Sequence, residues 1–190
     1  MNSKQKTSSI QSEKALFLDR DGVIVDYVPY LSQPNQVQIP QKAGEALKKW
    51  QDAGYLLIVI TNQSGVGRGY FSMDMVDLIH KHIRKEYSAF GVRFEEFFVC
   101  PHLPSIQCKC RKPSPSMLFQ ASQKYNIDID RSFFVGDASS DIECAISAGC
   151  NPVLLLTGKG SSTSRMLCDN DRKLVSIFNS LSETIELIKN

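Results

Sequence analysis

The residues best suited to chemistry lie in the stretch Asp19-Arg20-Asp21-Gly22. Two carboxylates that are two residues apart project in the same direction when the chain is extended. Like charges this close repel unless a cation lies between them, and Mg²⁺ prefers carboxylate oxygens together with substrate phosphate. An aspartate can also act as a nucleophile and form an aspartyl-phosphate. The stretch fits a metal-assisted site, and it equally fits a turn, because Asp and Gly favour turns.

A second group combines three thiols and an imidazole in the pattern C-x-H-x₅-C-x-C, formed by Cys100, His102, Cys108 and Cys110. Three thiolates and one imidazole are a complete tetrahedral ligand set for Zn²⁺. Four protein ligands leave no position for substrate, so the pattern predicts a structural zinc site. The alternatives are unligated residues or a disulfide, but Cys108 and Cys110 are too close in sequence to bridge comfortably.

The remaining histidines and two other cysteines lack the spacing of a metal site. His80 and His82 are two residues apart in a helical pattern and face different ways, so we expect both at the surface. Cys144 and Cys150 are predicted to be core thiols.

Polar residues also follow two further apolar runs. Residues 61–69, T-N-Q-S-G-V-G-R-G, combine hydroxyls, amides and glycines that allow a close approach to phosphate oxygens, although a flexible loop has the same composition. Arg111 and Lys112 come directly after the cysteine-rich loop. A metal that orders this loop would present both cations to a phosphate, whereas elsewhere such a pair would be a solvated surface feature.

A third acidic stretch contains Asp137 and Asp141 in G-D-A-S-S-D. Asp137 follows an apolar run as Asp19 does, so the two carboxylates are expected to converge on one magnesium ion. Asp141 is either a helix N-cap or a group that orients Lys112 or the metal. Residues 157–160, T-G-K-G, match no phosphate-loop motif and are interpreted as an ordinary turn.

These candidates must be positioned by an alternation of strands and helices. Six short apolar runs predict buried strands at residues 15–18, 56–60, 97–100, 132–135, 153–156 and 174–178. Helical patterns between and after them cover residues 44–53, 72–90, 115–126, 140–148 and 180–190. This order predicts an α/β fold, a three-layer Rossmann-like parallel sheet with helices on both faces. The polar residues 159–173 are expected to be a loop with one helical turn.

Composition limits the classes of protein that fit. The chain has 190 residues, 42% of them hydrophobic and 22% charged, with a net charge of +2. That is enough apolar material for one core, and the charge balance does not support a nucleic-acid-binding or membrane-surface protein. Six cysteines are too few for a disulfide scaffold. We expect a disordered tail over residues 1–13, a single domain over residues 14–190, and a cytoplasmic monomer.

The order of the motifs resembles the haloacid dehalogenase superfamily of phosphatases. The matching stretches are F-L-D-R-D-G-V, T-N-Q-S-G, C-R-K-P and V-G-D-x-x-S-D. With the cysteine-rich loop, the chain resembles the zinc-containing subgroup that includes heptose-bisphosphate and histidinol-phosphate phosphatases. The resemblance implies a phosphomonoester hydrolase that uses Mg²⁺ for catalysis and Zn²⁺ for structure. The spacing leaves no room for a cap domain, so the site should be open.

The resemblance also implies roles for individual residues. Asp19 would be the nucleophile and Asp21 the general acid and base, with Thr61 and Lys112 stabilising the phosphoryl oxygens. Mg²⁺ would be bound by Asp19, Asp137 and the backbone carbonyl of Asp21. The expected substrate contacts are Arg20, Tyr27, Tyr30, Asn62, Gln63, Ser64, Arg68, Arg111 and Ala138.

The choice of substrate is open at this stage. The stretch T-N-Q-S-G-V-G-R-G-Y-F favours a heptose 1,7-bisphosphate that loses its 7-phosphate. The short spacer between His102 and Cys108 is more like that of a histidinol-phosphate phosphatase, and Ala138 stands where heptose phosphatases usually have lysine. A DNA 3′-phosphatase shares the aspartate motifs and is a third alternative.

Overall fold

The apolar runs of the sequence form one six-stranded parallel sheet in the computed structural model, which describes residues 12–189. The strands are β1 (Lys14–Leu18), β2 (Tyr55–Asn62), β3 (Phe94–Cys100), β4 (Phe133–Gly136), β5 (Asn151–Leu155) and β6 (Ser176–Phe178). Their order across the sheet is β3-β2-β1-β4-β5-β6. This is the order of an open, doubly wound sheet, so the predicted fold class is confirmed.

Seven α-helices connect or follow the strands in the described part of the chain. They are α1 (Ala43–Asp52), α2 (Ser64–Gly67), α3 (Met73–Ser88), α4 (Ser116–Tyr125), α5 (Ser139–Ala148), α6 (Gly160–Met166) and α7 (Asp169–Leu174). Two 3₁₀ helices cover Pro34–Gln36 and Leu181–Lys189. The start of α3 illustrates the local chemistry, because the Ser72 hydroxyl accepts a hydrogen bond from the Met75 N–H and caps the helix.

The sheet is buried on both faces, and β1 shows how. Leu16 and Leu18 share a core with residues of α1 and α3, whereas Ala15 and Phe17 share a second core with residues of α4 and α5. Alternate side chains of a strand point to opposite faces, so β1 needs apolar residues at every position. The continuous apolar run that predicted this strand is therefore a direct consequence of the three-layer architecture.

Three regions differ from the sequence-based expectation. The predicted loop over residues 159–173 contains α6 and α7, and the predicted C-terminal α-helix is the 3₁₀ helix Leu181–Lys189. Glu183 accepts a hydrogen bond from the Asn179 N–H and does not form a capping box with Ser180. The expected tail falls largely outside the described residues, of which Glu13 forms a bridge to Ile127.

The connections after β1 and β2 leave the carboxyl edge of the sheet open. Between β1 and α1 the chain forms only the short 3₁₀ helix Pro34–Gln36, and no folded lid domain occurs within residues 12–189. The first strand lies between β2 and β4, at the point where the strand order reverses. Ligands of doubly wound sheets bind beyond this point. Across residues 12–189, every helix is too short or too polar to cross a membrane.

Candidate active site

The side chains that follow β1, β2 and β4 converge on a cleft of about 240 Å³ at the carboxyl edge of the sheet. Its lining contains most of the residues predicted from the sequence, namely Asp19, Arg20, Asp21, Tyr27, Tyr30, Asn62, Gln63, Ser64, Arg111, Lys112, Asp137 and Ala138. Thr61 is fully buried beneath this surface, and Arg68 lies at the rim. The predicted residues are therefore brought together, at the position that the sheet topology favours.

Lys112 is the buried cation at the centre of the cleft floor. Its Nζ lies 2.9 Å from Oδ1 of Asp19 and 2.8 Å from Oδ1 of Asp141, and it donates a hydrogen bond to the Ile60 carbonyl at 2.8 Å. Burial alone would lower the pKa of Lys112, but the carboxylates of Asp141 and Asp19 raise it above its ordinary value. The ammonium therefore stays charged within a largely dry site.

The two aspartates that face the cleft have raised pKa values. Burial raises the pKa of Asp19 to about 7, against the opposing effect of Lys112. Burial also raises the pKa of Asp137 to about 6, although a hydrogen bond from the Lys159 N–H opposes the rise. Because burial outweighs the positive charge of Lys112 at both carboxylates, they favour a bound cation, which would lower both pKa values.

Asp141 orients Lys112, one of the two functions that the sequence left open, and it is not the N-cap of α5, which is Ala138. Its Oδ2 accepts hydrogen bonds from the N–H groups of Asp137 and Ala138, at 3.2 Å and 3.1 Å, just before α5. Its Oδ1 pairs with Lys112. One buried carboxylate in the first turn of α5 thus fixes the backbone of Asp137 and Ala138 and orients the lysine.

Arg20 and Gln63 line the cleft, but neighbouring side chains engage their polar groups. The Arg20 guanidinium is 1% exposed and is bound to the carboxylate of Asp21 and the amide oxygen of Gln63. The Gln63 amide nitrogen donates to Asp21 Oδ2 at 2.9 Å and to Thr61 Oγ1 at 2.8 Å. The geometry shows contacts of Arg20 and Gln63 with Asp21, Thr61 and each other, and their contact with substrate stays a prediction.

Asn62 joins the end of β2 to the segment that carries the cations. Its side chain donates to the Lys112 carbonyl and accepts from the Lys112 N–H, both at 3.1 Å. Arg111 is half-buried, and its Nη1 donates to the His102 carbonyl at 3.3 Å. Asn62 and His102 therefore position the two consecutive cations, Arg111 and Lys112, in the cleft.

Aromatic side chains form the rim of the cleft. The rings of Tyr30 and Tyr70 meet edge to face with centroids 4.9 Å apart, and the Arg68 guanidinium lies 5.8 Å from the Tyr30 centroid. On the other side, Lys159 Nζ lies 5.3 Å from the centre of the Tyr27 ring. The rim thus combines exposed rings with cations, which suits a polar, anionic ligand.

The cysteine-rich loop has the geometry of a zinc site. The Cys100 Sγ lies 3.6 Å from both His102 Nδ1 and Cys108 Sγ, and Cys110 Sγ lies 3.3 Å from His102 Nδ1. Tetrahedral ligands at about 2.3 Å (sulfur) and about 2.0 Å (nitrogen) from Zn²⁺ lie roughly 3.5–3.8 Å apart. The four side chains are therefore spaced as ligands of one ion, in agreement with the predicted set.

Comparison with known proteins places this site in a family. The HAD-hydrolase-like family model matches residues 109–184. A protein from Photorhabdus laumondii, named D-glycero-alpha-D-manno-heptose-1,7-bisphosphate 7-phosphatase, is 43% identical over 158 residues, which span 80% of this chain and 86% of that protein. A protein from Pseudomonas aeruginosa, named D-glycero-beta-D-manno-heptose-1,7-bisphosphate 7-phosphatase, is 39% identical over 156 residues with the same coverage.

The chain belongs to this heptose-bisphosphate phosphatase family of the haloacid dehalogenase superfamily. The crystal structure of D,D-heptose 1.7-bisphosphate phosphatase from B. bronchiseptica, complexed with magnesium and phosphate, superposes with a TM-score of 0.85 at 29% identity. The matched region spans 93% of this chain and 98% of the B. bronchiseptica chain. The predicted superfamily and the predicted enzyme class, a phosphoric monoester hydrolase, are both confirmed.

A divalent cation is typical of haloacid dehalogenase phosphatases, and this chain has a site that fits one. Oxygen atoms of Asp19, Asp137 and Asp141 lie within 4.8 Å of one another. Both oxygens of Asp141 are engaged, by Lys112 and by backbone N–H groups. The hydrogen bonds and ion pairs of Asp19 and Asp137 among the described residues use one oxygen each, so these two carboxylates can hold a cation. Carboxylate oxygens are the donors that Mg²⁺ prefers.

One further turn contributes to the site, although the sequence did not indicate this. The predicted ordinary turn at residues 157–160 closes over Asp137, whose Oδ2 accepts the Lys159 N–H at 2.7 Å. A Cβ atom added to Gly158 would lie 2.1 Å from that same oxygen, and one added to Gly22 would lie 2.4 Å from it. The signal that could have identified Lys159 is its position just beyond the end of β5.

Predictions for the residues outside the site had mixed outcomes. His80 was expected at the surface, but it is only 6% exposed and packs against Phe97, so that prediction is wrong. His82 is half-buried and lies near Glu86. Cys144 and Cys150 are buried, as predicted.

Proposed function

We propose that this phosphatase removes the 7-phosphate of a D-glycero-D-manno-heptose 1,7-bisphosphate. The names of the relatives support this substrate. The structural observation that carries the proposal is the contact of Asp19 with Lys112, beside Asp137, on the floor of a cleft sized for a small molecule. A nucleophile, a buried cation and a metal-binding carboxylate are the components that phosphoryl transfer requires.

In the first step, an oxygen of Asp19 attacks phosphorus as the bond between phosphorus and the sugar oxygen breaks. Asp21 gives its proton to that departing oxygen, and the enzyme carries an aspartyl-phosphate. In the second step, water attacks the phosphorus and gives a proton to Asp21. The acyl-phosphate P–O bond breaks, inorganic phosphate leaves and Asp19 is restored. The side chain of Asp21 is 20% exposed and can reach the reacting groups from the cleft surface.

Positive charge and hydrogen-bond donors stabilise the transferring phosphoryl group. Lys112 stays protonated between Asp19 and Asp141, so its charge is available at the site of transfer. Thr61 accepts a hydrogen bond from Gln63, which leaves its own hydroxyl hydrogen free to be donated. This arrangement supports the predicted role of Thr61, whose hydroxyl is buried in contact with the Gln63 amide.

Two metal ions complete the proposal. Asp19, Asp137 and the carbonyl of Asp21 would hold Mg²⁺, which neutralises negative charge on the phosphoryl group when bound. Cys100, His102, Cys108 and Cys110 would hold Zn²⁺, which orders the loop before Arg111.

The second phosphate of the substrate requires cations that are not engaged elsewhere. Arg111 and Lys159 both line the cleft, and neither forms an ion pair with a carboxylate among the described residues. We assign both to this phosphate. The remaining partner predictions, a monomer with no nucleic-acid or membrane partner, are part of the same proposal and agree with the net charge of +2.

The direct test measures phosphate release from heptose 1,7-bisphosphate, histidinol phosphate and a 3′-phosphorylated oligonucleotide. We expect the bisphosphate to have the highest kcat/KM, and Asp19→Asn to abolish turnover because the amide cannot form the intermediate. Asp52→Asn on the exposed end of α1 is the matched control and should leave the rate unchanged. Turnover by Asp19→Asn would refute the nucleophile, and preference for another ester would refute the substrate.

A further inference from the structure

We propose that Arg20 and Gln63 are positioning residues that hold Asp21 in the orientation needed to protonate the leaving group. The inference rests on the proposed function, in which Asp21 is the general acid. It gives both residues a function in addition to the substrate contacts expected from the sequence.

The three side chains form a closed ring of hydrogen bonds. Arg20 Nε lies 3.2 Å from each carboxylate oxygen of Asp21, and its Nη2 lies 2.9 Å from Oδ1. The same Nη2 donates to Gln63 Oε1 at 2.9 Å, and Gln63 Nε2 returns to Asp21 Oδ2 at 2.9 Å. Both oxygens of Asp21 are therefore held, and rotation of the carboxylate would break several bonds at once.

Burial separates the supporting groups from the group they support. Arg20 is 1% exposed and Gln63 is 4% exposed, whereas the side chain of Asp21 is 20% exposed. The ring therefore lies beneath the carboxylate and leaves it accessible from the cleft. Gln63 also donates to Thr61, so one amide couples the predicted acid to a predicted phosphoryl-binding hydroxyl.

The Arg20 side chain is a poor choice for stability alone. Its Nη1 is buried and has no hydrogen-bond partner among the described residues. A buried donor without a partner costs free energy, and apolar residues of similar volume often replace buried ion pairs without loss of stability. The observed geometry instead matches what catalysis needs, a proton donor held in a productive orientation.

The test depends on how strongly each substrate needs a general acid. An alkyl phosphate, such as the heptose bisphosphate, leaves as a basic alkoxide that must be protonated, whereas p-nitrophenyl phosphate leaves as a stable phenolate. We expect Gln63→Met and Arg20→Met to lower kcat/KM for the alkyl ester by about 10²-fold and for the aryl ester by less than about tenfold. The parameter kcat/KM is chosen because hydrolysis of the aspartyl-phosphate does not affect it.

Three further variants make the result specific. Asp21→Asn should show the same discrimination between the two esters, and Arg20→Lys should recover part of the activity lost in Arg20→Met. Gln120→Met, on the exposed face of α4, is the matched control for Gln63→Met and should match the wild type. Circular dichroism verifies that each variant is folded, and if one Met variant fails to fold, Arg20→Lys carries the comparison.

The outcomes separate this inference from the proposed function. Equal losses on both esters, or no loss on either, would overturn the positioning role while the phosphatase assignment stands. A wild-type protein that releases no phosphate from the heptose bisphosphate but does so from other alkyl esters would overturn the proposed substrate, and the comparison would proceed on those esters. A wild-type protein inactive on all of them would overturn both.

Discussion

At the scale of single residues, Lys159 makes two separate contacts in the cleft. The backbone N–H of Lys159 holds the carboxylate of Asp137, which we propose as a metal ligand, while the Lys159 side chain lies over the Tyr27 ring in the cleft. Because the two contacts use different atoms, a side-chain substitution can remove one and keep the other.

Replacing Lys159 by Met is therefore expected to affect only the second phosphate of the substrate. We expect KM for the heptose bisphosphate to rise by about tenfold, because one charged hydrogen bond is lost, while kcat/KM for p-nitrophenyl phosphate stays unchanged. Steady-state kinetics on both substrates provides the measurement. Lys173→Met in the exposed part of α7 is the control. An equal loss on both substrates would place Lys159 in the chemical step instead.

The sequence predicted which residues lie at the site better than it predicted where their side chains point. Asp19 and Asp137 were predictable because each follows a buried strand, and parallel strands bring their carboxyl ends to one edge. Arg20 and Gln63 belong to the same motifs, but motif membership does not reveal whether a long side chain turns towards a ligand or towards its neighbours. That choice depends on partners more than 40 residues away, such as the contact between Arg20 and Gln63.

At the scale of secondary-structure elements, the segment between β3 and α4 joins the proposed zinc ligands to Lys112, the buried cation of the cleft floor. Cys110 precedes Lys112 by two residues, and Arg111 between them binds the His102 carbonyl. A segment of this kind has few apolar contacts, so a bound metal would supply most of its order.

We therefore expect Cys110→Ser to lower zinc content and phosphatase activity together. Loss of the metal would release Arg111 and displace Lys112, and small displacements of catalytic groups lower rates by roughly tenfold or more. Elemental analysis gives the metal content and phosphate release gives the rate. Cys168→Ser, at an exposed cysteine, should alter neither. Full activity in a zinc-free Cys110→Ser protein would contradict the structural role of the metal.

Some elements were predictable and others were not, for physical reasons. Strands such as β1 contain a continuous apolar run, here residues 15–18, because both faces are buried. The helices α6 and α7 are short and polar, and the N-cap of α7 is Cys168, whose Sγ accepts the Asp171 N–H at 3.4 Å. Cysteine is an unusual N-cap, so neither composition nor capping residues indicated these helices.

At the scale of the whole molecule, the buried imidazole of His80 makes stability depend on pH. Burial, together with the smaller effect of the positive charges on Arg20 and Arg84, lowers the pKa of His80 to about 3. The ordinary pKa is 6.5, so the unfolded chain gains a proton below about pH 6.5 while the folded imidazole stays neutral. The free energy of unfolding therefore falls as the pH drops from about 6.5 towards 3 and is unaffected by His80 above that range.

The variant His80→Gln should lose this dependence. We expect the difference in the free energy of unfolding between wild type and variant to change by up to about 1.4 kcal/mol per pH unit below pH 6.5. Urea denaturation at several pH values measures it, and the difference removes the contributions of Asp19 and Asp137, which titrate in both proteins. A difference that does not vary with pH would show that His80 titrates normally in the folded protein.

The close packing around Asp137 limits which residues of this enzyme can be substituted during evolution. Gly22 and Gly158 come from loops that follow β1 and β5, and a Cβ on either one would collide with the Asp137 carboxylate. No other amino acid fits at these two positions, so this wall of the cleft can accept almost no mutations. The rings of Tyr27 and Tyr30 at the rim of the cleft are exposed and have no such restriction. New substrate preferences would therefore arise at the rim, while the phosphate-binding chemistry is inherited unchanged.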